Sequence, residues 1–250
     1  MVKPKNILIG GITGGIGSSL ANILQKEGHS LVGFARNEEK LSQINHQFPA
    51  IQTLQAEATD PESLKIAFEK ALLLMGSIDA YVHAIGSIII KPAHLTSTEH
   101  WMQTIQLNLS SAFFAMKEAI VAMQKQNYGA LVFYSSTAAQ IGIANHEAIA
   151  ASKGGIEAMV RSAAATYSNR NLRFNCIAPG LTDTNLAKPI TSNPTALAIS
   201  KKMCPLNDIA KPEDIASLTQ WLISDRARFI TGQCFTVDGG LSSTTPKPKA

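Results

Sequence analysis

The feature that most constrains this chain is an apolar run that passes directly into a glycine-rich turn and then into a helix. Residues 7–9 are all apolar and suit a buried parallel strand. Gly11, Gly15 and Gly17 follow, at positions where a side chain would block a sharp turn or the close approach of a diphosphate. The free N–H groups of the helix behind them point toward the turn. The stretch therefore predicts a phosphate-binding turn.

Strand-length apolar runs alternate with helical patterns along the chain. We predict strands near residues 7–9, 30–35, 51–55, 79–85, 131–136, 172–177 and 233–237, and helices near 16–27, 61–75, 98–126, 146–167 and 212–223. This alternation predicts an α/β, doubly wound Rossmann fold, with a parallel sheet of about seven strands and helices on both faces. No composition break occurs, so residues 1–250 are predicted to form one dinucleotide-binding domain.

Composition narrows the class of partner. The net charge of +4 arises from 22 basic and 18 acidic residues. Four terminal lysines, Lys3, Lys5, Lys247 and Lys249, account for the whole excess, which argues against a nucleic-acid-binding face. Apolar runs are all shorter than the roughly 18 residues of a membrane span. We therefore expect neither nucleic acid nor membrane as a partner, and a small-molecule substrate instead.

Cysteine and histidine spacing gives no sign of a disulfide framework or a metal site. Cys176, Cys204 and Cys234 are odd in number and widely spaced. The histidines form neither an HExxH motif nor another ligand cluster. The sequence favours a reduced, cytoplasmic setting and no catalytic metal.

Two segments fall outside the regular alternation. The region near residues 183–204 is poorly patterned and suits a substrate loop above the carboxyl ends of the strands. Residues 242–250 contain a Pro-Lys-Pro-Lys sequence and are predicted to form a flexible tail.

The end of the second predicted strand favours one cofactor over another. In dinucleotide folds an acidic residue at this strand end accepts a hydrogen bond from the adenosine 2′-hydroxyl. Here the sequence is Ala35-Arg36-Asn37. Because the guanidinium of Arg36 can pair with a 2′-phosphate, NADP(H) is favoured over NAD(H). The alternative is that Arg36 is a solvated surface residue.

Several motifs, in this order, resemble the short-chain dehydrogenase/reductase family over about residues 5–241. The glycine turn matches the cofactor turn of that family, although Gly10 stands where threonine is usual. Residues 83–86 keep only the last glycine of the family's Asn-Asn-Ala-Gly motif, and residues 237–240 resemble its C-terminal signature. The resemblance implies that cofactor binding involves Gly11, Gly15, Ile16, Gly17, Arg36, Gly86, Lys153, Pro179, Gly180 and Thr184.

The resemblance also implies a catalytic set. Asn108, Ser136 and Lys153 match the asparagine, serine and lysine of the family, which respectively support a proton relay, position the carbonyl, and hold the nicotinamide ribose. Asn108 lies inside a predicted helix, where asparagine is unfavourable, so its side chain is either exposed or bonded through its amide. The family's tyrosine lies four residues before the lysine. That position is Ile149, which has no proton to transfer.

Four groups are candidates to replace the missing phenol. His146 lies three residues before Ile149 and shares its face if the helix is continuous, although it is equally a capping residue. His83 lies at a strand end near the predicted cofactor, and Tyr134 lies two residues before Ser136 on one strand face. The alternative interpretation of His83 and of Tyr134 is an ordinary buried residue of the core. Lys153 is a donor if it is desolvated.

The favoured function is an NADP(H)-dependent oxidoreductase that acts on a small carbonyl or alcohol with an atypical proton donor, proposed to include His146. Two alternatives remain open, a catalytically silent cofactor-binding protein and a non-redox isomerase or dehydratase on the same fold. The resemblance also implies a homodimer or homotetramer, formed by the helices near residues 98–126 and 147–167.

Overall fold

One parallel sheet organises residues 3–245, the part of the chain that the computed structural model describes. Its seven strands are β1 Asn6–Gly10, β2 Ser30–Ala35, β3 Gln52–Gln55, β4 Ala80–His83, β5 Gly129–Tyr134, β6 Leu172–Pro179 and β7 Cys234–Val237. They lie in the order β3-β2-β1-β4-β5-β6-β7, and every neighbouring pair is parallel. The predicted α/β, doubly wound fold class is confirmed.

Helices cover both faces of this sheet. They are α1 Gly15–Lys26, α2 Glu38–Gln47, α3 Pro61–Met75, α4 Thr98–Ile105, α5 Ser111–Met123, α6 Glu147–Tyr167, α7 Lys188–Thr191, α8 Pro194–Met203 and α9 Pro212–Ile223. Alternate side chains of a strand point to opposite faces. Accordingly, Ile9 of β1 packs in the cluster that holds α1 and α9, whereas Leu8 packs in the cluster that holds α3, α5 and α6.

Two helical segments differ from the sequence-based expectation. Helix α2 was not predicted because its sequence is mostly polar, but Asn37 caps it by accepting a hydrogen bond from the backbone N–H of Lys40. Its Leu41 and Ile44 are buried. The single long helix predicted for residues 98–126 is interrupted instead. A π-helical turn, Gln106–Ser110, separates α4 from α5.

The strand order reverses between β1 and β4, which creates a crevice at the carboxyl ends of these strands. The glycine turn that follows β1 enters this crevice. Gly11 has φ +81°, and a Cβ atom there would lie 2.5 Å from the carbonyl oxygen of Ala84, after β4. A side chain on Gly17 would likewise meet the carbonyl oxygen of Gly11. The glycine turn therefore packs tightly against the residues that follow β4.

The segment predicted as a substrate loop contains α7 and α8. Its beginning is anchored, because the N–H of Asp183 donates to Ala210 O at 2.8 Å and the N–H of Ala210 donates to Leu181 O at 3.0 Å. Of the predicted tail, Ser242–Thr244 fold back in turns, in which the N–H of Ser242 donates to Asp238 Oδ2 at 2.8 Å. Residues 246–250 lie outside the described residues. Among residues 3–245, no helix has the length and apolarity needed to span a bilayer.

Candidate active site

The N-terminus of α1 is open toward the glycine turn. Its N-cap, Gly14, makes no side-chain capping bond, and its first turn carries no acidic residue. Free N–H groups at such a terminus bind anions. A Cβ atom on Gly15 would lie 2.8 Å from Cγ2 of Thr184, so the turn and the segment after β6 pack directly together. The structure thus brings two widely separated predicted cofactor segments into one site.

Gly10 departs from the threonine of the family pattern for a packing reason. A Cβ atom at this position would lie 2.7 Å from Cζ of Phe34 and 2.8 Å from the hydroxyl oxygen of Tyr81. Both aromatic rings are fully buried and stack on each other. This pair of aromatic side chains occupies the space that a threonine side chain would need.

Arg36 borders a cavity of about 170 Å³ beside the glycine turn. Its side chain is exposed, and its carbonyl oxygen accepts a hydrogen bond from Gln55 Nε2 at 3.0 Å. The cavity is also lined by Glu57, which sequence reasoning did not single out. Glu57 Oε1 accepts hydrogen bonds from the N–H and hydroxyl of Thr59. An acidic residue just after a predicted strand was the signal that would have identified it.

A second cavity, of about 160 Å³, brings most of the predicted nicotinamide-side residues together. It lies at the carboxyl ends of β4, β5 and β6. The predicted residues that line it are Ile16, Gly86, Ser136, Ile149, Lys153, Pro179, Gly180 and Thr184. Apolar side chains make up much of the remaining wall, namely Ile85, Ile88, Leu181, Leu186 and Ala187.

Lys153 is the charged residue among those that line this second cavity, which we call the Lys153 cavity. It projects from α6, its side chain is buried, and its Nζ atom donates a hydrogen bond to Tyr134 O at 2.9 Å. Burial lowers the pKa of this ammonium from 10.5 to about 8. A Cβ atom on Gly86 would lie 3.2 Å from this Nζ and 2.8 Å from Asn108 Oδ1, so glycine at residue 86 leaves room for both polar groups.

Asn108 lies within the π-helical turn, fully buried. Its Oδ1 accepts from the N–H of Ser87 at 3.0 Å, and its Nδ2 donates to Ser87 Oγ at 2.9 Å and to Thr104 O at 3.0 Å. Of the two placements predicted for this residue, the structure shows the bonded amide. The Asn108 side chain therefore joins Ser87, in the segment after β4, to the end of α4.

Ser136 lies just after β5 and begins a short 3₁₀ turn. Its Oγ atom accepts a hydrogen bond from the N–H of Ala138 at 3.2 Å. The adjacent Thr137 hydroxyl donates to Pro179 O at 3.2 Å and to Asp238 Oδ2 at 3.4 Å. The C-terminal signature therefore ties the Ser136 segment to the end of β6.

His146 is not brought together with these residues. Helix α6 begins at Glu147, and His146 is its N-cap with φ −113° and ψ 17°, so the helical spacing expected from residue 146 does not hold. Its Nδ1 atom lies 2.7 Å from Ala144 O, and it is absent from the lining of the Lys153 cavity. Ile149, in contrast, lies in that lining and is 2% exposed.

His83 and Tyr134 are both core residues. His83 is buried with Nδ1 at 2.7 Å from the Tyr81 hydroxyl and Nε2 at 3.2 Å from Ser111 Oγ, so both ring nitrogens have partners. Burial, with a smaller contribution from the charge of Lys153, lowers the pKa of His83 to about 3.

Tyr134 also lines the Lys153 cavity, where its carbonyl oxygen accepts the hydrogen bond from Lys153 Nζ. Its hydroxyl lies 2.8 Å from Thr219 Oγ1 of α9, on the face of the sheet that carries α1, and burial raises its pKa well above 10. The core interpretation of Tyr134 fits this burial and the bond to α9, and Ser136 lies just beyond the end of β5.

A protein-family model described as enoyl-(acyl carrier protein) reductase matches residues 11–242. The 3beta-hydroxysteroid dehydrogenase 1 of Eggerthella lenta is 28% identical, over 96% of this chain and 95% of that protein. The cyclohexanol dehydrogenase of an Acinetobacter species is 30% identical, over 96% of this chain and 95% of that protein. An inactive 2-(S)-hydroxypropyl-CoM dehydrogenase 2 of Xanthobacter autotrophicus is 30% identical, over 75% of this chain and 84% of that protein.

A solved structure gives the same assignment. A short-chain type dehydrogenase/reductase from Mycobacterium ulcerans superposes with a TM-score of 0.93 and 28% identity, over 96% of this chain and 90% of that one. The family match, which spans the glycine turn, the Lys153 cavity and the C-terminal signature, shows that the chain belongs to the short-chain dehydrogenase/reductase family.

Proposed function

We propose that this protein is an NADP(H)-dependent oxidoreductase that interconverts a neutral, largely apolar alcohol and its carbonyl compound. The observation that carries the proposal is the cavity in which Ser136 and Lys153 stand beside Gly86 and the Pro179-Gly180 segment. It lies at the reversal of strand order, where ligands of doubly wound folds bind.

The chain's residues fit a dinucleotide. The glycine turn, with the open N-terminus of α1, suits the diphosphate. Arg36 suits the adenosine 2′-phosphate, since the end of β2 carries no acid, and Glu57, the acid that lines the same cavity, is bonded to Thr59. Lys153 stands where it can bind the nicotinamide ribose, and Thr184 closes over the turn. When bound, the cofactor supplies or accepts a hydride.

Lys153 is the proton donor in this proposal, in place of the tyrosine for which Ile149 stands. Its ammonium lies in the cavity, and its pKa of about 8 places proton transfer near neutral pH. In reduction the ammonium gives a proton to the carbonyl oxygen, and Ser136 donates a hydrogen bond to the same oxygen. Solvent then reprotonates the amine. We assign no proton transfer to His146, His83 or Tyr134, whose ring or hydroxyl groups are engaged elsewhere.

The cavity wall indicates the substrate class. Ile88, Leu181 and Leu186 offer apolar contacts, and Lys153 is the charged side chain among the lining residues that the structure describes. A buried amine that must lose and regain its proton is poorly suited to a fixed anionic partner, because an anion would raise its pKa. Cyclic and aliphatic ketones are therefore the first substrates to test, consistent with a cyclohexanol dehydrogenase among the relatives.

The decisive experiment combines calorimetry with turnover. We expect NADPH to bind more tightly than NADH, and a panel of cyclic ketones to be reduced with equimolar NADPH oxidation. The Lys153→Met variant keeps the length of the side chain without its charge and should lose turnover by about 10²- to 10⁴-fold. Absence of binding of either nucleotide would overturn the oxidoreductase assignment. Substrate conversion with no change in NADPH would point to the non-redox alternative.

A silent cofactor-binding protein is the second candidate. It is favoured by one observation, the buried isoleucine in the cavity wall at residue 149. An inactive dehydrogenase among the relatives fits this alternative. Tight NADPH binding without turnover on any tested carbonyl compound would support it over the enzyme.

Assembly into a homodimer or homotetramer is part of the proposal. Helix α5 exposes Phe113 and Val121, which are 54% and 49% accessible. Exposed apolar residues on a long helix suit contact with a second copy. Light scattering after gel filtration tests this, and a Phe113→Glu variant should shift the mass toward the monomer.

A further inference from the structure

Two cysteines that are far apart in the sequence lie side by side near the edge of the sheet. Cys176 of β6 and Cys234 of β7 are direct partners in the parallel register. The backbone N–H of Cys176 donates to Gln233 O at 2.8 Å. Partners on neighbouring strands project to the same face, and both cysteines pack in one hydrophobic cluster beside Ile156.

The spacing of these residues suits a covalent bridge. Neighbouring strands lie about 4.8 Å apart, and disulfides join residues whose Cα atoms are about 4.4–6.8 Å apart. Both thiols are free in the structure. We propose that Cys176 and Cys234 are a reversible disulfide site, oxidised by exchange with a low-molecular-weight disulfide.

The surroundings assign an order to the exchange. Cys234 is half-buried and accepts a hydrogen bond from Gln140 Nε2 at 3.3 Å, whereas Cys176 is 1% exposed. The side-chain hydrogen bond with Cys234, followed by burial, raises the pKa of the Cys176 thiol, and the charge of Glu157 adds to this. Cys234 is therefore the thiol that meets the external disulfide, and Cys176 completes the bridge.

The exchange balances in two steps. The Cys234 thiolate attacks one sulfur of the external disulfide, forms a mixed disulfide and releases the first small thiolate. The Cys176 thiol then gives its proton to the released small thiolate, attacks the Cys234 sulfur and releases the second small thiolate. The two protein thiols lose two electrons and two protons, and the external disulfide becomes two thiols.

The site connects to the Ser136 segment through one carboxylate. The Cys234 thiol donates to Glu157 Oε1 at 3.4 Å, and the Ser135 hydroxyl donates to the same oxygen at 2.7 Å. Gln140 Nε2 also reaches it, at 3.4 Å, from the turn that follows Ser136. Oxidation removes the S–H donor, so Glu157 retains only the donors on either side of Ser136.

Equilibration of the purified full chain with mixtures of oxidised and reduced glutathione tests the proposal. We expect the count of free thiols in the denatured protein to fall from three to one. The intact mass should lose two hydrogens without added glutathione, and excess dithiothreitol should restore all three thiols. Peptide mapping should find Cys176 joined to Cys234 and Cys204 free.

Variants in which one cysteine is replaced provide the matched controls. In Cys204→Ala the count should fall from two to zero, whereas Cys234→Ala should form no internal bridge. The wild-type peptide map does not depend on whether these variants fold. Three free thiols at equilibrium in oxidised glutathione, or a bridge that includes Cys204, would overturn the proposal. The thiol count, the intact mass and the peptide map do not depend on cofactor binding or turnover. A failure of the disulfide proposal is therefore distinguishable from a failure of the proposed function.

Discussion

The Nζ atom of Lys153 lies 2.9 Å from the carbonyl oxygen of Tyr134 and donates a hydrogen bond to it. This bond fixes the position of the amine at the carboxyl end of β5, next to Ser136. The carbonyl oxygen supplies a partner but no negative charge, so burial dominates and the amine has a pKa of about 8. Lys153 is therefore held in the cavity in a state that changes charge close to neutral pH.

The pH dependence of turnover follows from this pKa. Below about pH 8 Lys153 is an ammonium and can give a proton, so carbonyl reduction should proceed. Above that pH the rate of reduction should fall, and the rate of alcohol oxidation should rise because the free amine accepts a proton. The kcat/KM profiles in both directions measure this. A Lys153→Arg variant retains the charge with a far higher pKa and should lose the inflection near pH 8.

Stability should show the same titration. The native pKa of about 8 lies below the ordinary lysine pKa of 10.5, which applies to the unfolded chain. Between these values the unfolded chain binds the proton that the native chain has released, so this residue's contribution to stability rises with pH by at most about 1.4 kcal/mol per pH unit.

Denaturant unfolding from pH 7 to 10.5, compared with Lys153→Met, isolates this effect. Parallel stability curves for the two proteins would contradict a lowered pKa.

A phenol at residue 149 should increase activity. Ile149→Tyr places a hydroxyl in the cavity wall, one helical turn before Lys153, where it adds a second proton donor. Turnover should rise by about tenfold or more over the wild type, less than the full 10²- to 10⁴-fold of general acid catalysis, because Lys153 already supplies a proton. Ile149→Phe is the matched control, since it adds the ring without the hydroxyl. Reduction of a cyclic ketone by the two variants measures the effect. Equal rates for tyrosine and phenylalanine would show that the hydroxyl does not reach the substrate oxygen.

Cofactor preference should depend on Arg36. A charge-assisted hydrogen bond contributes about 1.5–3 kcal/mol, so Arg36→Ala should weaken NADPH binding by about 10- to 100-fold. NADH binding should change little, because NADH lacks the 2′-phosphate. Lys40→Ala, in the exposed first turn of α2, controls for a general loss of positive charge. Calorimetry that shows an equal loss for both nucleotides would remove Arg36 from the 2′-phosphate site.

Asn108 should contribute to stability as well as to the site. Asn108→Ala leaves the N–H of the half-buried Ser87 without its acceptor, at a cost of about 1–3 kcal/mol. The control is Gln103→Ala, an exposed amide on α4 whose bond to Glu99 lies at the surface. Urea unfolding of both variants measures the difference. An equal, small effect would mean that solvent replaces the bonds of Asn108.

The architecture was predictable because it depends on local patterns. Apolar runs, glycines and caps occur within a few residues of one another, and the positions of most strands and helices follow from them. Helix α2 was missed because its apolar face consists of little more than Leu41 and Ile44, too weak a signal in a polar segment. The π turn around Asn108 was hidden because an amide bonded to a distant segment is not visible in helical periodicity.

The candidate site was predicted residue by residue, without its geometry. The sequence by itself indicated the glycine turn and Arg36 from the local pattern and the end of the second strand, and Ser136 and Lys153 through the resemblance to the family. Only the tertiary structure decided that His83 is a neutral core residue and that His146 stands outside the cavity.

The pairing of Cys176 with Cys234 belongs with these tertiary decisions. Burial, strand register and contacts between remote segments determine such outcomes, and these quantities exist only once the sheet has assembled.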